Sequence, residues 1–364
     1  MESRHPLSPG GRRLRDTVGL RYLSFGSSFT YGVGLSQPTE EAYPFLLSQD
    51  TRNVATRRVG YELAAACTQS IVGDDMYDVI TIEAGRIDES TRLLVSRLRQ
   101  RFPDSMILLL RPQEASGTFV GGIDGASNGA PIIAQPRSET DEMALHDLSR
   151  DSGSQILTFS TLNGGGEMHS LSTMHKILSK AVLDATRSAP RVTSLGSWGS
   201  GDKCELWYSH GMANPSLLTH EFGHDVSTDE HKHAVEVHQP LSITVLNPFA
   251  SPRMLYLTYM TSKAELDDDG NPKIFPKIRV YMNGLPTVEV EPVHTMSSDS
   301  SFVRTSAVGM VSPGSCEILL KPLSVAALPL RLVGVSFLAE EAAHLPLEFD
   351  LDGDEVPLTS ESWL

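Results

Sequence analysis

The chain has 364 residues, of which 40% are hydrophobic and 21% charged, and its formal net charge is −15 at pH 7. This balance excludes wholesale disorder and leaves room for two domains of ordinary size. The negative charge argues against a nucleic-acid partner, because proteins that bind a phosphate backbone are normally basic. No run of apolar residues is long enough to span a bilayer, so we expect no transmembrane segment.

The two ends of the chain carry opposite charge. The first 22 residues contain five arginines, and no apolar stretch follows them as it would in a signal peptide. From residue 340 onward there are eight Asp or Glu and no Lys or Arg. We therefore predict a basic N-terminal segment at 1–20 and an acidic tail at 351–364. The default expectation is a cytoplasmic protein unless the N-terminus is truncated, and the oligomeric state stays open.

Residues 21–190 alternate the patterns of strands and helices. Strand patterns lie at 22–25 (YLSF), 77–85 (YDVITIEAG), 105–112 (SMILLLRP) and 155–160 (QILTFS). Helical patterns lie at 90–102, at 139–150 and at 171–186, the last with Ser172 as its cap. Near-continuous apolar strands between helices are typical of a buried parallel sheet. The prediction for this domain is an α/β fold in which helices wrap a parallel sheet.

The hydrophobic pattern of the sequence changes after about residue 195. Short strand patterns separated by Gly, Pro and Asn run through residues 196–350, and helical spacing nearly disappears. Asn283 and Gly284 separate two alternating runs, which is a strong signal for a hairpin. We predict that this second domain is a β-sandwich of the jelly-roll kind.

Three cysteines give only weak grounds for a disulfide framework. Cys67 lies in LAAAC and is interpreted as a small apolar residue of a helix. Cys204 and Cys316 both fall in the second half, where they are able to pair. The sequence leaves this pairing open.

Ser28 lies in LSFGSSFTYGVG (23–34), where a short apolar strand runs into a glycine turn. A helix after that turn would place the Ser28 hydroxyl at the carboxyl edge of the sheet, where open α/β sheets bind ligands. A serine becomes a nucleophile when a base accepts its proton and hydrogen-bond donors stabilise the oxyanion. His169, in EMHSLSTMHKIL near the end of the domain, is the candidate base.

Three segments, FGSSFTYG, YDVITIEAG and GGEMHSLSTMH, together resemble the SGNH (GDSL-like) esterase and lipase family. The resemblance covers roughly residues 20 to 188. It rests on the order of the segments and on the six-residue spacing between His169 and His175. It implies a three-layer α/β/α domain, with Ser28 as nucleophile and His169 as general base.

The same resemblance implies the oxyanion donors and the class of substrate. The donors would be Ser28, Gly60 and Gly85. The substrate would be an O-acyl ester, such as an acetyl or other acyl group on a carbohydrate or lipid, and no cofactor would be needed. The second domain would bind this substrate or pack against the first. Three aromatic residues near its start are able to form either a sugar-stacking surface or part of the core: Trp198, Trp207 and Tyr208.

Two positions depart from the family pattern. Gly166 stands three residues before His169, where the family has its catalytic Asp, and Ile87 stands where the family has an oxyanion Asn. Glu167 and Asp88 are adjacent to these positions and are the candidate replacements. Asp88 can instead cap the following helix, and Glu167 can instead be a solvated loop residue. The alternative function is therefore a degenerate, non-catalytic protein that keeps the fold to bind a ligand or carbohydrate.

A second motif, LLTHEFGHD (217–225), contains the HExxH pattern of zinc hydrolases. On a helix its two histidines would face one metal ion, so His220 and His224 would be ligands with Glu230 as a third. Asp225 directly after the second histidine and the strand-rich surroundings speak against a zinc-dependent hydrolase. The prediction is a polar loop without metal.

Overall fold

The structure is a computed structural model of the chain. The residues that it describes are 19–26, 28–32, 35–48, 50–55, 61–84, 87–113, 139–160, 170–206, 226–227, 234–263, 277–294, 302–323, 330–343 and 345. The predicted acidic tail and residues 1–18 of the basic segment lie outside this set.

A five-stranded parallel sheet forms the centre of the first domain, in the order β2-β1-β3-β4-β5. Its strands are β1 (Tyr22–Phe25), β2 (Thr51–Asn53), β3 (Val79–Glu83), β4 (Met106–Gln113) and β5 (Gln155–Ser160). β3 reads VITIE and is buried along its whole length, because helices cover both faces of the sheet. β1 lies between β2 and β3. After β1 the chain forms β2 on one side of it, and it then crosses back to form β3 on the other side.

Helices pack on both faces of this sheet. They are α1 (Ser28–Tyr31), α2 (Pro38–Glu41), α3 (Tyr43–Leu47), α4 (Glu62–Ala66), α5 (Thr68–Val72), α6 (Glu89–Arg101), α7 (Glu139–Ser152) and α8 (Leu171–Ala185). Successive side chains of a strand point to opposite faces. Leu23 therefore joins a core with Leu94 of α6, whereas the neighbouring Tyr22 joins a second core with Leu178 of α8. These two cores confirm the predicted α/β domain.

The boundaries of α8 need one correction. The helix spans Leu171–Ala185, and its cap is Ser170, whose hydroxyl accepts a hydrogen bond from the backbone N–H of Thr173. Ser172, the predicted cap, lies inside the first turn, because the capping residue precedes the first helical residue. Within the described part of the chain, no helix has the length and apolar character needed to cross a membrane.

Two mainly antiparallel sheets form the second domain. One has four strands in the order β12-β11-β15-β9, and the other has seven, with β10 and β16 at its centre. The strands are β6 (Lys203–Leu206), β7 (Val226–Ser227), β8 (Ala234–Val237), β9 (Leu241–Asn247), β10 (Arg253–Lys263), β11 (Ile278–Met282), β12 (Leu285–Val290), β13 (Val293–His294), β14 (Phe302–Val311), β15 (Gly314–Pro322) and β16 (Leu330–Phe337). Apolar residues of both sheets share one buried core, as in Ile243 and Ile318 against Leu257 and Val335. This arrangement confirms the β-sandwich.

The predicted hairpin lies between β11 and β12. Asn283 and Gly284 have φ angles of 50° and 81°. Positive φ at both central residues is the requirement of the tight turn that matches the twist of two antiparallel strands. The two strands pair from Ile278 with Val290 to Met282 with Leu285, and the register shifts by one residue between Val280 and Tyr281.

A disulfide bond between Cys67 and Cys204 joins the two domains. It corrects the interpretation of Cys67 as a plain apolar residue, and it answers the question that the sequence left open, since Cys204 pairs with Cys67 and not with Cys316. Cys316 is a free thiol in the buried core of the sandwich. Cys204 lies on β6, which pairs with β16 of the second domain and at the same time meets the first domain. The bonded cysteines are 137 residues apart, and only the packed domains bring them together.

A buried ion pair lies beside this disulfide. Arg97 Nη2 and Asp202 Oδ2 are 2.6 Å apart, and their side chains are 2% and 0% exposed. Asp202 also accepts the backbone N–H groups of Gln69 and Ser70, each at 2.9 Å. Arg97 Nε also lies 3.6 Å from Glu341 Oε1. Because Asp202 is buried, loss of Arg97 would leave its carboxylate without a counter-charge. The pair therefore fixes the segment before β6 on the first domain.

Trp198 belongs to the core of this junction. It is 7% exposed, and its ring meets that of Phe102 edge to face at a centroid distance of 5.9 Å. The Arg101 guanidinium lies 5.3 Å from the centre of the indole. Of the two roles expected for this residue, packing is the one that the structure supports. Trp207 and Tyr208 lie outside the described residues.

Candidate active site

Ser28 is the first residue of α1 and follows the carboxyl end of β1. β1 pairs with β3, and Phe25 is in register with Ile82, so the two strands end at the same edge of the sheet. The chain connects β1 to β2 on one side and reaches β3 on the other. This point, where the strand order reverses, is where open α/β sheets form their ligand crevice.

The turn before Ser28 is closely packed. Thr30 donates from its hydroxyl and its backbone N–H to Glu83 Oε2, at 2.6 and 3.2 Å. A Cβ atom on Gly26 would lie 2.1 Å from Thr30 Oγ1 and 2.6 Å from Glu83 Oε2. Gly26 is therefore required because the helix carrying Ser28 comes too close for any side chain there. This gives the glycine turn of the sequence a steric reason.

A second anchor holds α1 from the side of β2. Asn53, the last residue of β2, donates from its Nδ2 to the carbonyl of Thr30 at 3.0 Å. Its Oδ1 accepts the backbone N–H of Ala55 at 3.1 Å. Buried hydrogen bonds from both neighbouring strands thus fix the backbone that carries Ser28.

An aromatic cluster packs beneath the same helix. Phe29 stacks on His175 at a centroid distance of 4.3 Å with 11° between the planes, and on Phe159 at 5.9 Å. His175 is fully buried, and its Nδ1 accepts the backbone N–H of Tyr43 at 3.1 Å. Burial lowers the pKa of His175 to about 4, so the ring is neutral at pH 7. The structure therefore gives His175 a packing role within this cluster.

Asp88 caps α6. Its Oδ1 accepts the backbone N–H of Thr91 at 2.8 Å and the hydroxyls of Ser90 and Thr91 at 2.7 and 2.9 Å. This is the capping role that the sequence offered as an alternative to catalysis. Ile87 is 9% exposed and belongs to the core that contains α6. Its apolar side chain supplies no hydrogen-bond donor.

Two further side chains lie at this edge of the sheet, and no motif in the sequence had indicated them as site residues. Tyr61 donates its hydroxyl to the carbonyl of Glu83 at 2.6 Å, and burial together with the charge of Glu83 raises its pKa. Glu62 begins α4, and burial, with Asp88 as a neighbouring charge, raises its pKa to about 7. Its Oε2 is buried and has no hydrogen-bond partner among the described residues. Such a carboxyl can carry a proton near neutral pH.

The remaining predicted site residues lie outside the described part of the chain, and the side chain of Ser28 does too. They are Gly60, Gly85, Gly166, Glu167 and His169 of the esterase motifs, and His220, His224 and Glu230 of the zinc motif. Within the described ranges, no group of three or more His, Cys, Asp or Glu is placed to hold a metal ion.

No protein-family model matches the chain, and no curated protein matches it significantly. Among solved structures, a two-domain esterase active on acetylated mannans is 13% identical, with a TM-score of 0.48, and the alignment covers 88% of this chain and 91% of that one. An extracellular lipase from Streptomyces rimosus is 14% identical, with a TM-score of 0.30, over 47% of this chain and 100% of the lipase.

Carbohydrate-binding modules are also among the solved structures similar to this chain. A family 35 carbohydrate-binding module from Clostridium thermocellum is 11% identical, with a TM-score of 0.24, over 38% of this chain and 99% of the module. At this level of identity, none of these neighbours assigns an activity to the chain.

Proposed function

We propose that the first domain is a serine esterase of the SGNH type, with Ser28 as its nucleophile. The observation that carries the proposal is the position of Ser28 at the start of α1, directly after β1 and beside β3. A ligand crevice belongs at this place in a sheet of this strand order. The hydrogen bonds that fix Thr30 support it further, because a nucleophile acts best from a rigid backbone.

The reaction is hydrolysis of an O-acyl ester. Ser28 Oγ attacks the acyl carbon while His169 Nε2 takes its proton, and the alcohol leaves with that proton. Water then attacks the acyl-enzyme with His169 again as base, which releases the acid and restores the serine. The backbone N–H groups of Ser28, Gly60 and Gly85 are the proposed donors to the oxyanion. No cofactor takes part.

Glu167 is the proposed acid that orients His169. Asp88 was the other candidate carboxylate, but its Oδ1 is occupied by three hydrogen bonds within its own helix cap. A serine protease without its triad acid loses about 10⁴ in kcat, and loss of one oxyanion donor costs about 10²–10³. An enzyme with Ile87 in place of the Asn donor is therefore expected to be slow.

The proposed substrates are acetyl or other acyl esters of a carbohydrate or lipid. The second domain would add a binding surface or support the first domain. The disulfide and the buried ion pair between Arg97 and Asp202 support a fixed arrangement of the two domains around one substrate.

A second function, non-catalytic binding of a ligand at the same crevice, is favoured by one observation. The stretch after β3 uses Ile87 for the core and Asp88 for the helix cap, which leaves neither side chain for the oxyanion. The zinc-dependent alternative depends on His220, His224 and Glu230, all outside the described residues.

The test is hydrolysis of p-nitrophenyl acetate by the wild type and by Ser28→Ala, each with and without a zinc chelator. Ser36→Ala is a matched control, since Ser36 is exposed and bonds only to the nearby Glu41 in the hydrogen bonds described. Activity that is lost in Ser28→Ala, kept in Ser36→Ala and unaffected by chelator supports the esterase. Equal rates for wild type and Ser28→Ala would favour the binding function, and loss only on chelation would favour the zinc hydrolase.

A further inference from the structure

Phe29 occupies a central position between three elements of the first domain. It is the residue directly after Ser28, on α1. Its ring stacks on Phe159 near the end of β5 and on His175 in the first half of α8. The ring planes differ by only 17° and 11°, so Phe29 stacks with both partners, and Tyr43 of α3 stacks on Phe29 and His175 in the same cluster.

The two partners of Phe29 bracket one segment of the chain. Phe159 is the last residue but one of β5, and His175 lies five residues after the cap of α8. His169 lies in the segment between them. The Phe29 ring therefore connects the backbone that carries Ser28 to β5 and α8, the two elements that flank His169 in the sequence.

His175 is held in this stack by a specific hydrogen bond. Its Nδ1 accepts the backbone N–H of Tyr43, so the proton of the neutral ring is on Nε2. Nε2 is buried and has no partner among the described residues. The ring thus contributes its stacking face and one accepted hydrogen bond.

We infer that His175 is a positioning residue, which holds the α1 backbone that carries Ser28 against β5 and α8 through its stack on Phe29. The catalytic part of this inference rests on the proposed esterase function. The mechanical part does not, since it concerns only the coupling of α1, β5 and α8. A shift of about 1 Å in a reacting group costs about 10²-fold in rate, so small losses of this alignment are measurable.

The experiment compares His175→Ala, which removes the ring, with His175→Phe, which keeps a stacking ring but not the Nδ1 acceptor. Val182→Ala is the matched control, because Val182 is buried on the same helix about 10 Å further along its axis. Amide hydrogen exchange is followed in peptides covering 28–32, 155–160, 171–185 and 89–101. The kcat and KM for p-nitrophenyl acetate are measured in parallel.

The expected result for His175→Ala is faster exchange in both 28–32 and 155–160, unchanged exchange in α6, and a kcat about 10- to 100-fold lower at similar KM. His175→Phe is expected to restore slow exchange and most of kcat. Val182→Ala is expected to lower stability without either effect.

Two results would overturn the inference. One is faster exchange confined to α8 in His175→Ala, and the other is a kcat loss equal to that of Val182→Ala. If the wild type shows no Ser28-dependent hydrolysis, the esterase proposal fails, and the exchange measurements alone decide whether His175 couples the three elements.

Discussion

The turns after β1 and β3 lie at the same edge of the sheet and use their residues for opposite purposes. After β1, Gly26 leaves space for a close approach, and buried hydrogen bonds to Thr30 fix the helix that begins with Ser28. After β3, Ile87 packs into the core and Asp88 caps α6. The first turn fixes the backbone that carries Ser28, whereas the second stabilises the domain. Under the proposed function, this contrast predicts a nucleophile with weak oxyanion support.

The largest effect is expected for Gly26→Ala. The new methyl group would lie 2.1 Å from Thr30 Oγ1, so α1 has to move. We expect kcat to fall by about 100-fold or more, because a nucleophile displaced by about 1 Å loses that much. Gly73→Ala is the control, since a Cβ there meets nothing within 4 Å and only its φ of 72° is unfavourable. Equal kcat values for the two variants would contradict the packing account of the first turn.

Ile87→Asn tests whether an Asn at the family's position after β3 can supply the missing oxyanion donor. The side chain is buried in an apolar core, so an amide there lacks partners and the lost packing adds to the cost. We expect the free energy of unfolding in urea to fall by about 2–4 kcal/mol, with no gain in kcat. A higher kcat at unchanged stability would show that the position faces the crevice.

The dependence of stability on pH has opposite signs for His175 and Glu62. The pKa of His175 is about 4 in the folded chain against 6.5 for the free side chain, so the unfolded chain binds more protons between these values. This contribution to stability is lost as pH falls from 6.5 to 4, by up to about 3 kcal/mol. The pKa of Glu62 is raised from 4.5 to about 7, so its contribution is lost as pH rises through that range.

Single variants at His175 and Glu62 measure these two contributions to the unfolding free energy separately. The difference in unfolding free energy between His175→Phe and wild type is expected to grow in favour of the variant as the solution becomes more acidic. For Glu62→Gln, the variant is expected to gain on the wild type between pH 4.5 and 7. If the differences in unfolding free energy between variant and wild type do not vary with pH, the two groups are exposed to solvent and their pKa values are not shifted by burial.

Asp88 is expected to give the smallest effect. Asp88→Ala removes the helix cap and is expected to cost about 1 kcal/mol in thermal or urea unfolding, whereas Asp88→Asn keeps an acceptor and costs less. Both variants are expected to retain kcat. A large loss of kcat in Asp88→Asn at normal stability would show that the Asp88 carboxylate has a catalytic role.

The fold class could be predicted from the sequence because each domain has a regular pattern of apolar and polar residues. Buried strands such as VITIE alternate with helices in the first domain, and Asn283 with Gly284 fixes a hairpin in the second. The position of Ser28 after β1 follows from the same pattern.

Other features depend on tertiary contacts that no local pattern contains. Cys67 and Cys204 meet only because β6 packs against the first domain, so the sequence alone left the pairing of Cys204 open. The raised pKa of Glu62 likewise comes from burial by neighbouring elements. Asp88 was ambiguous because a helix cap and a catalytic carboxylate have the same residue type at the same place.

The most direct test of the central claim is covalent labelling by a fluorophosphonate, followed by peptide mass spectrometry. An activated serine oxygen displaces fluoride and keeps the phosphonyl group. The account predicts one label, on the peptide that contains Ser28, and no label on Ser28→Ala. An unlabelled Ser28, under conditions that fully label a reference serine esterase, would contradict its role as a nucleophile.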